Sequence, residues 1–249
     1  MLKQSKNRLI TTASVFLLIV LWKLLSLFYA NELIIPPPES TILATIDLLV
    51  SKNFISIVGL TIIRGLAGFL FSFILGLGLG ILAGVNSSFH AFLKPILVTL
   101  RSTPVISFIL LALIWFNVDR VPVFIAFLTM FPFICTNVID GIRDVDRDLV
   151  EMARIYQVSH AKIIKEVYLP AIIPFVFSGS SSAMGFGWRA IIIGEVLSQP
   201  QYGIGTAMQT AQTYLLVKEV IAWTIIAIII SYLFEIILRR VERKIVDWK

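Results

Sequence analysis

Charged residues are scarce in this chain, since 14% of its 249 residues are Asp, Glu, Lys or Arg and 58% are hydrophobic. A soluble globular protein carries about 25% charged residues, so a surface covered by water is excluded. The hydrophobic residues form several separate runs near the length that spans a bilayer's hydrocarbon, about 20 residues. These runs are continuously apolar and do not alternate, which disfavours a transmembrane β-barrel. The composition therefore predicts an all-α, polytopic membrane protein.

Cysteine and histidine are almost missing. The one cysteine, Cys135, lies within an apolar run, which excludes a disulfide framework and a cysteine-based metal site. His90 and His160 fall between the runs, with no second ligand at metal-binding spacing. No nucleophile, base and orienting group stand together in the sequence. We therefore predict no catalytic residue, no metal site and no enzyme activity for this chain.

Stretches without charge predict about six transmembrane helices in a single domain over residues 1–249. They are roughly Leu9–Ala30, Gly65–Val85, Val105–Val118, Val121–Ile139, Leu169–Ile193 and Val220–Phe234. The third stretch is short for a span unless Pro95–Thr103 is added to it. Lys23 interrupts the first stretch and is expected to snorkel to the membrane surface, and Arg64 is expected to mark an interface.

The basic residues predict the orientation of these helices. Most of the 21 lysines and arginines fall on one side: Lys3, Lys6, Arg8, Lys94, Arg143, Arg147, Arg154, Lys162, Lys165, Arg239, Arg240, Arg243, Lys244 and Lys249. The other side has Lys52, Arg120 and Lys218. The positive-inside rule then places both termini in the cytoplasm. No basic run is interleaved with aromatic residues, so the lipid bilayer is an expected partner and nucleic acid is not.

Glycine is concentrated in the second span. Gly76, Gly80 and Gly84 recur every four residues, and this small-xxx-small spacing lets two helix backbones approach closely in lipid. The row predicts either tight static packing or a sliding or hinge surface in a moving transporter. In both cases the helix is expected in the interior, and a bulky residue at Gly80 should be poorly tolerated.

Residues 141–168, between the fourth and fifth spans, form a charged segment that predicts two short amphipathic helices with a bend at Val158–Ser159. The apolar positions at helical spacing are Leu149, Met152, Ala153 and Tyr156 before the bend, and Ile163, Ile164 and Val167 after it. Ser159 is the expected N-cap of the second helix, and Pro170 ends that helix or begins the next span. Such a unit is either a docking element for a soluble partner or a connector that rests on the bilayer.

The fifth span carries polar residues inside an apolar helix, and the candidates for a transport pathway are Ser181, Trp188, Arg189 and Glu195. A charge within a membrane span is costly and indicates function by default, and Arg189 would favour an anion. Arg189 and Glu195 are separated by about 120° around the helix and do not face each other. The structural alternatives are an acidic partner elsewhere for Arg189, an outer cap for Glu195 and packing for Trp188.

The charged segment resembles the Glu-Ala-Ala, Gly, Ile-x-Leu-Pro loop of binding-protein-dependent ABC importer permeases. Its counterparts here are Glu151-Met152-Ala153, Gln157 and Val167-Tyr168-Leu169-Pro170, with the same spacing throughout. Five further segments resemble the nitrate, sulfonate, taurine and bicarbonate branch, which includes thiamine-precursor and riboflavin permeases: Ile35–Glu39, Arg64–Phe69, Arg101–Pro104, Gly141–Arg143, and Trp188 followed by Glu195. Met152, Gln157 and Val167 depart from the pattern. A glycine adopts left-handed angles without steric cost, so Gln157 puts the sharpness of the bend in question.

The resemblance implies a type I ABC importer permease-like fold in a bacterial inner membrane. Two permease copies would pair, and each would seat its loop in a cleft of one of two cytosolic ATPase subunits. The residues implied in coupling are Glu151, Met152, Ala153, Gln157, Ser159, Leu169 and Pro170, with Glu151 and Ala153 facing the cleft and Leu169-Pro170 anchoring the loop.

An extracytoplasmic binding protein would deliver the solute to this pair. The chain contains no Gly-x-x-x-x-Gly-Lys-[Ser/Thr] phosphate loop, so ATP and Mg are expected in the partner ATPase, and no cofactor is expected here. The alternative is a stand-alone secondary transporter or channel, which predicts repeated halves and ion-coupling acids in mid-membrane.

Overall fold

The computed structural model describes the backbone of residues 2–246 and the side chains of residues 10–244. Over this range the chain forms helices and no strand: α1 Leu2–Tyr29, α2 Pro38–Leu49, α3 Phe54–Val85, α4 Ser87–Ser102, α5 Val105–Trp115, α6 Val121–Arg143, α7 Arg147–Ile155, α8 His160–Ile163, α9 Leu169–Ser198, α10 Ile204–Thr213 and α11 Val217–Val246. A π-helical turn, Ile164–Tyr168, joins α8 to α9. Four basic residues used above to predict the orientation fall outside the range of described side chains: Lys3, Lys6, Arg8 and Lys249.

Five helical stretches are long and apolar enough to cross a membrane, or six if the bent pair α4–α5 counts as one span. They are α1, α3, α6, the continuous helix from α8 to α9, and α11. Large apolar side chains such as Phe16, Phe28 and Leu70 point outward and are more than half exposed, which suits a surface that faces lipid. The prediction of an all-helical membrane protein with about six spans is confirmed.

The third predicted span is not a straight helix. α4 and α5 meet at an angle of 97°, because Pro104 disfavours helical angles at the residue before it, and Thr103 is accordingly extended, with φ −73° and ψ 131°. At 1.5 Å per residue the 11 residues of α5 extend about 16 Å, which is too short to cross the hydrocarbon layer. Val105–Val118 therefore does not cross alone.

The core of the bundle is built around α6, which packs against α3 on one side and α9 on the other. Met130, Ile134 and Val138 on α6 are fully buried in the largest apolar cluster. The glycine-rich face of α3 lies directly on α6, where a Cβ at Gly76 would lie 3.0 Å from Ile134 Cγ2 and one at Gly80 would lie 2.8 Å from Val138 Cβ. A Cβ atom at either position would therefore be too close to α6. The two helix backbones can approach because these residues are glycines.

Two contacts attach α1 to the segment that follows it. Trp22 Nε1–H donates to the Pro36 carbonyl at 3.0 Å, and Lys23 Nζ lies 2.6 Å from a carboxylate oxygen of Glu39 at the start of α2. Lys23, expected to snorkel, therefore has an acidic partner. Its hydrogen bond lowers the pKa of Glu39 below the usual carboxyl value.

Candidate functional site

The loop helix α7 is held to the bundle by its inner face. Asp146 caps its N-terminus by accepting the Asp148 N–H at 2.9 Å. Val145, Val150 and Ile163 are buried in one small apolar cluster, against which the first residues of α9 also pack. The loop is therefore packed against the end of the bundle at which α9 begins, and it is not a loose connector.

The turn after α7 is sharp, and Gln157 makes it. Gln157 has φ 56°, in the left-handed region; its N–H donates to the Arg154 carbonyl, and the Val158 N–H donates to the Ala153 carbonyl, both at 2.9 Å. This pair of hydrogen bonds is a Schellman motif in which Gln157 occupies the C′ position usually taken by glycine. The bend expected from the sequence is present, although the residue there is one for which the left-handed angles are costly.

The second helix of the loop does not stand alone. Ser159 occupies the N-cap position of α8, but its hydroxyl makes no capping hydrogen bond, and its carbonyl accepts the N–H groups of Lys162 and Ile163 instead. From α8 the chain continues through the π-helical turn into α9, with Leu169 and Pro170 inside the helix. Proline has no N–H to give to the preceding turn, and the wider π-helical turn accommodates it. Of the two readings of Pro170, the structure shows the beginning of the next span.

The outer face of α7 is exposed and carries both apolar and charged side chains. Met152 is 51% exposed, Ile155 79% and Tyr156 77%, and Glu151 is also exposed. Ala153, by contrast, is half-buried against the cluster that holds the loop, so only part of its surface is open to a partner. An apolar patch on a short helix beside charged residues is typical of a protein-binding surface.

A polar groove runs between α9 and α11. It consists of two cavities of about 240 and 390 Å³, both lined by Arg189, Ser231 and Glu235. Ser181 and Ser182 line the first cavity, and Trp188 and Met208 line the second. Hydroxyl groups and a guanidinium are costly against lipid, so this groove is a candidate binding site for a polar solute.

Arg189 is the free cation of this groove. Its side chain is exposed, and it takes part in none of the ion pairs found among residues 10–244. Glu235 is instead paired with Arg239 at 2.6 Å. Trp188 is 3% exposed; its Nε1–H donates to the Ala227 carbonyl at 3.1 Å, so its main role is packing.

Glu195 lies away from the groove and is completely buried. Arg64 Nη1 donates to its Oε1 at 2.8 Å, the Thr61 hydroxyl donates to it at 2.9 Å, and the Gly205 N–H donates to Oε2 at 3.0 Å. In this conformation the Glu195 carboxylate is therefore held inside the protein by Thr61, Arg64 and Gly205 and is closed to solute.

Sequence reasoning missed three members of these sites. Arg64 was expected at an interface, whereas its side chain is 6% exposed and its guanidinium joins two carboxylates. Ser231 and Glu235 lie on α11 and share the groove with Arg189. The polar residues in apolar helices were visible signals, but their pairing between distant segments was not, as with Arg64 and Glu195, which are 131 residues apart.

The chain belongs to the binding-protein-dependent transport system inner membrane component family, whose model matches residues 76–247. The exposed loop helix and the polar groove both lie within the matched residues. Membership confirms the family resemblance, and it identifies a transport component and not an enzyme.

Several curated relatives align with most of the chain. It is 29% identical over 93% of its length, and 84% of the relative's, to the putative aliphatic sulfonates transport permease of Bacillus subtilis. The taurine transport permease of Escherichia coli is 23% identical over 93% of the chain and 86% of its own length. The bicarbonate transport permease of Synechococcus elongatus is 32% identical over 62% of the chain and 56% of its own length.

The fold is similar to that of a solved transporter in an inward-facing conformation. A chain of the MetNI methionine ABC transporter superposes with a TM-score of 0.66 at 17% identity, covering 78% of this chain and 99% of that one. The type I ABC importer permease fold is confirmed by this match.

Proposed function

We propose that this chain is the transmembrane subunit of an ATP-driven importer for a small oxyanion. It works as a homodimer with two cytosolic ATPase subunits, which bind ATP and Mg, and with an extracytoplasmic solute-binding protein. The protein lies in a bacterial inner membrane, with both termini and the loop of residues 141–168 on the cytoplasmic side. The observation that carries this proposal is the free outer face of α7, a helix whose inner face is fixed to the bundle.

The free face of α7 supports a separate motor. Val150 of α7 packs in the small cluster that the first residues of α9 also contact, so a displacement of α7 is passed toward the span that carries Arg189. Met152, Ile155 and Tyr156 offer apolar contact area, and Glu151 adds a charge beside them. A connector that merely rested on the bilayer would need no acidic residue among its apolar side chains.

The coupling role is tested by Glu151→Lys. Reversing one exposed charge should leave membrane insertion intact and abolish the stimulation of ATPase activity by loaded binding protein, because the charge pattern of the docking surface no longer complements its partner. Asp144→Lys makes the same charge change at an exposed position outside α7 and should retain stimulation. Normal stimulation in Glu151→Lys would contradict the coupling role.

The groove supports an anion as the solute. Arg189 is exposed and has no acidic partner within 4 Å among the described residues, whereas Glu235 is neutralised by Arg239. The groove therefore has one uncompensated positive charge beside serine hydroxyls. The relatives named for sulfonates, taurine and bicarbonate agree with such a solute. A thiamine-precursor pyrimidine or riboflavin has less support, because the Trp188 ring is packed against Phe234 and offers little stacking surface.

The anion role is tested by Arg189→Gln in uptake assays with a labelled aliphatic sulfonate, taurine, bicarbonate and nitrate. A hydrogen bond to a charged group contributes about 1.5–3 kcal/mol, so uptake should fall roughly tenfold to a hundredfold for the solute that is transported. Arg189→Lys should retain part of the activity, and Arg120→Gln, an exposed arginine that lines neither groove cavity, should retain all of it. Full uptake by Arg189→Gln would show that Arg189 does not bind the solute.

A stand-alone transporter has less support. Such a protein needs acidic groups free to bind the coupling ion in mid-membrane. In the described part of the spans, Glu195 is held by Arg64 and Thr61, and Glu235 is held by Arg239.

A further inference from the structure

α10 lies across one end of the polar groove. Met208, in the middle of α10, lines the larger groove cavity beside Trp188 and Arg189. The other side of α10, with Thr206, Ala207 and Thr210, faces a separate cavity of about 350 Å³. The helix thus separates the groove that holds Arg189 from a second cavity at the end of the bundle opposite α7.

The N-terminus of α10 is seated on the buried carboxylate of Glu195. The Gly205 N–H donates to Glu195 Oε2 at 3.0 Å, and the Ile204 N–H donates to the Thr61 hydroxyl oxygen at 2.9 Å. A Cβ at Gly203 would lie 2.6 Å from Glu195 Cδ, so the backbone before α10 rests directly on the carboxyl group. A carboxylate at this position is also favoured by the partial positive charge of a helix N-terminus.

Arg64 extends the same network to two more segments. Its Nη1 donates to the Tyr202 carbonyl at 2.6 Å, in the segment just before α10. Its Nη2 lies 2.8 Å from Asp119, in the turn before α6. The two carboxylates differ greatly in exposure, since the Glu195 side chain is fully buried and that of Asp119 is 64% exposed. Charges attract more strongly where water is excluded. The ion pair of Arg64 with Glu195 is therefore the stronger of the two, and its ion pair with Asp119 is the weaker.

We propose that Thr61, Arg64 and Glu195 are positioning residues that hold α10 closed across the end of the groove opposite α7. This proposal rests on the importer function proposed above, in which that end faces the binding protein. Glu195 and Thr61 keep the start of α10 seated between cycles. When α10 moves to admit solute, the contacts that break are those of its own backbone: the Gly205 N–H with Glu195, the Ile204 N–H with Thr61 and the Tyr202 carbonyl with Arg64.

The network accounts for two buried charges on different helices, Arg64 on α3 and Glu195 on α9. Arg64 precedes the glycine-rich face of α3, and Glu195 follows Trp188 on α9, so neither motif has a partner within its own helix. Each carries half of a buried ion pair, and an isolated half would be a strongly destabilising buried charge.

The test measures how readily a groove position reacts from the side that α10 covers. Ser231→Cys places a thiol in the groove, and the native Cys135 is fully buried and should not react in the folded protein. The full chain is kept in right-side-out membrane vesicles and exposed to a membrane-impermeant maleimide. Thr61→Val removes one hydrogen bond to Glu195 and one from α10 without touching the ion pair, and each lost bond is worth about fivefold. Only the bond from Ile204 attaches α10 itself, so labelling should accelerate by roughly fivefold.

Glu195→Gln, which leaves Arg64 without its buried counter-ion, should accelerate labelling at least as much as Thr61→Val. If Glu195→Gln is folded, its buried Cys135 should resist the same reagent. If Glu195→Gln does not fold, the conclusion is drawn from Thr61→Val alone. Asp119→Asn and the matched control Glu39→Gln, which breaks the Lys23–Glu39 pair, should change labelling less than about twofold, as expected for exposed pairs. Wild-type labelling rates in folded Thr61→Val would overturn the proposal.

The two proposals fail separately in the complete complex. ATP with loaded binding protein should accelerate labelling of Ser231→Cys in the otherwise wild-type chain. If ATP has no effect while Thr61→Val still labels faster, the importer function fails and the seating of α10 stands. If ATP accelerates labelling and Thr61→Val does not, the seating of α10 fails and the importer function stands.

Discussion

Two neighbouring glycines on α3 should respond in opposite ways to the same substitution. Alanine at Gly78 meets no atom within 4 Å, whereas at Gly80 its Cβ would lie 2.8 Å from Val138 Cβ and 3.1 Å from the Cys135 carbonyl oxygen. Replacing glycine by alanine in a helix gains about 0.5–1 kcal/mol from backbone entropy. Overpacking a close contact costs about 1–3 kcal/mol. Gly78→Ala should therefore stabilise the protein, and Gly80→Ala should destabilise it, with the overpacking cost as the difference.

The chain supplies its own reporter for this experiment. Cys135, the one cysteine, is fully buried on the face of α6 that meets α3, so a thiol-reactive dye reports unfolding on heating. A difference of about 1–3 kcal/mol corresponds to roughly 3–9 °C in the unfolding temperature. Because Gly80 contacts the reporter residue, tryptophan fluorescence should give the same order of stabilities. Equal shifts in the two variants would refute the conclusion that the glycine row is a packing surface.

Two further predictions concern particular residues. Gln157→Gly should raise the unfolding temperature and leave coupling intact, because glycine adopts φ 56° without strain; Gln157→Val, which is β-branched, should lower it, and the reverse order would contradict the Schellman turn. The second concerns pH. Lys23 lowers the pKa of Glu39 in the folded protein, so the contact stabilises the fold above the unfolded carboxyl pKa and is lost as pH falls through the folded value. The difference in unfolding temperature between wild type and Glu39→Gln should be present at about pH 7 and shrink as pH falls below the unfolded carboxyl pKa of about 4.3; a difference that does not depend on pH would rule out the ion pair.

Much of the architecture follows from apolar length alone. The apolar runs lie within α1, α3, α6, α9 and α11, which are helices of 23 to 32 residues, and lipid forces such segments into helices because their backbone groups must bond internally. The boundaries were less accurate. α3 begins at Phe54 and not at Gly65, because Arg64 was treated as a break, whereas a buried cation with two acidic partners fits inside a helix.

The features that sequence did not reveal depend on contacts between distant segments. The bend before Pro104 had a local signal, the residue preceding proline, which the search for apolar length overlooked. The pairing of Arg64 with Glu195 had none, because hydrophobic periodicity identifies faces and not partners. The outward orientation of Met152 and Tyr156 also required the structure, since an apolar stripe on an amphipathic helix normally faces inward.

The most direct measurement of the central claim is solute uptake into vesicles reconstituted from purified parts. The chain would be tested alone, with the ATPase, and with the ATPase and loaded binding protein, using a labelled aliphatic sulfonate, taurine, bicarbonate and nitrate. Our account predicts uptake of at least one of these only when all components and ATP are present. Uptake by the chain alone, without ATP, would contradict it.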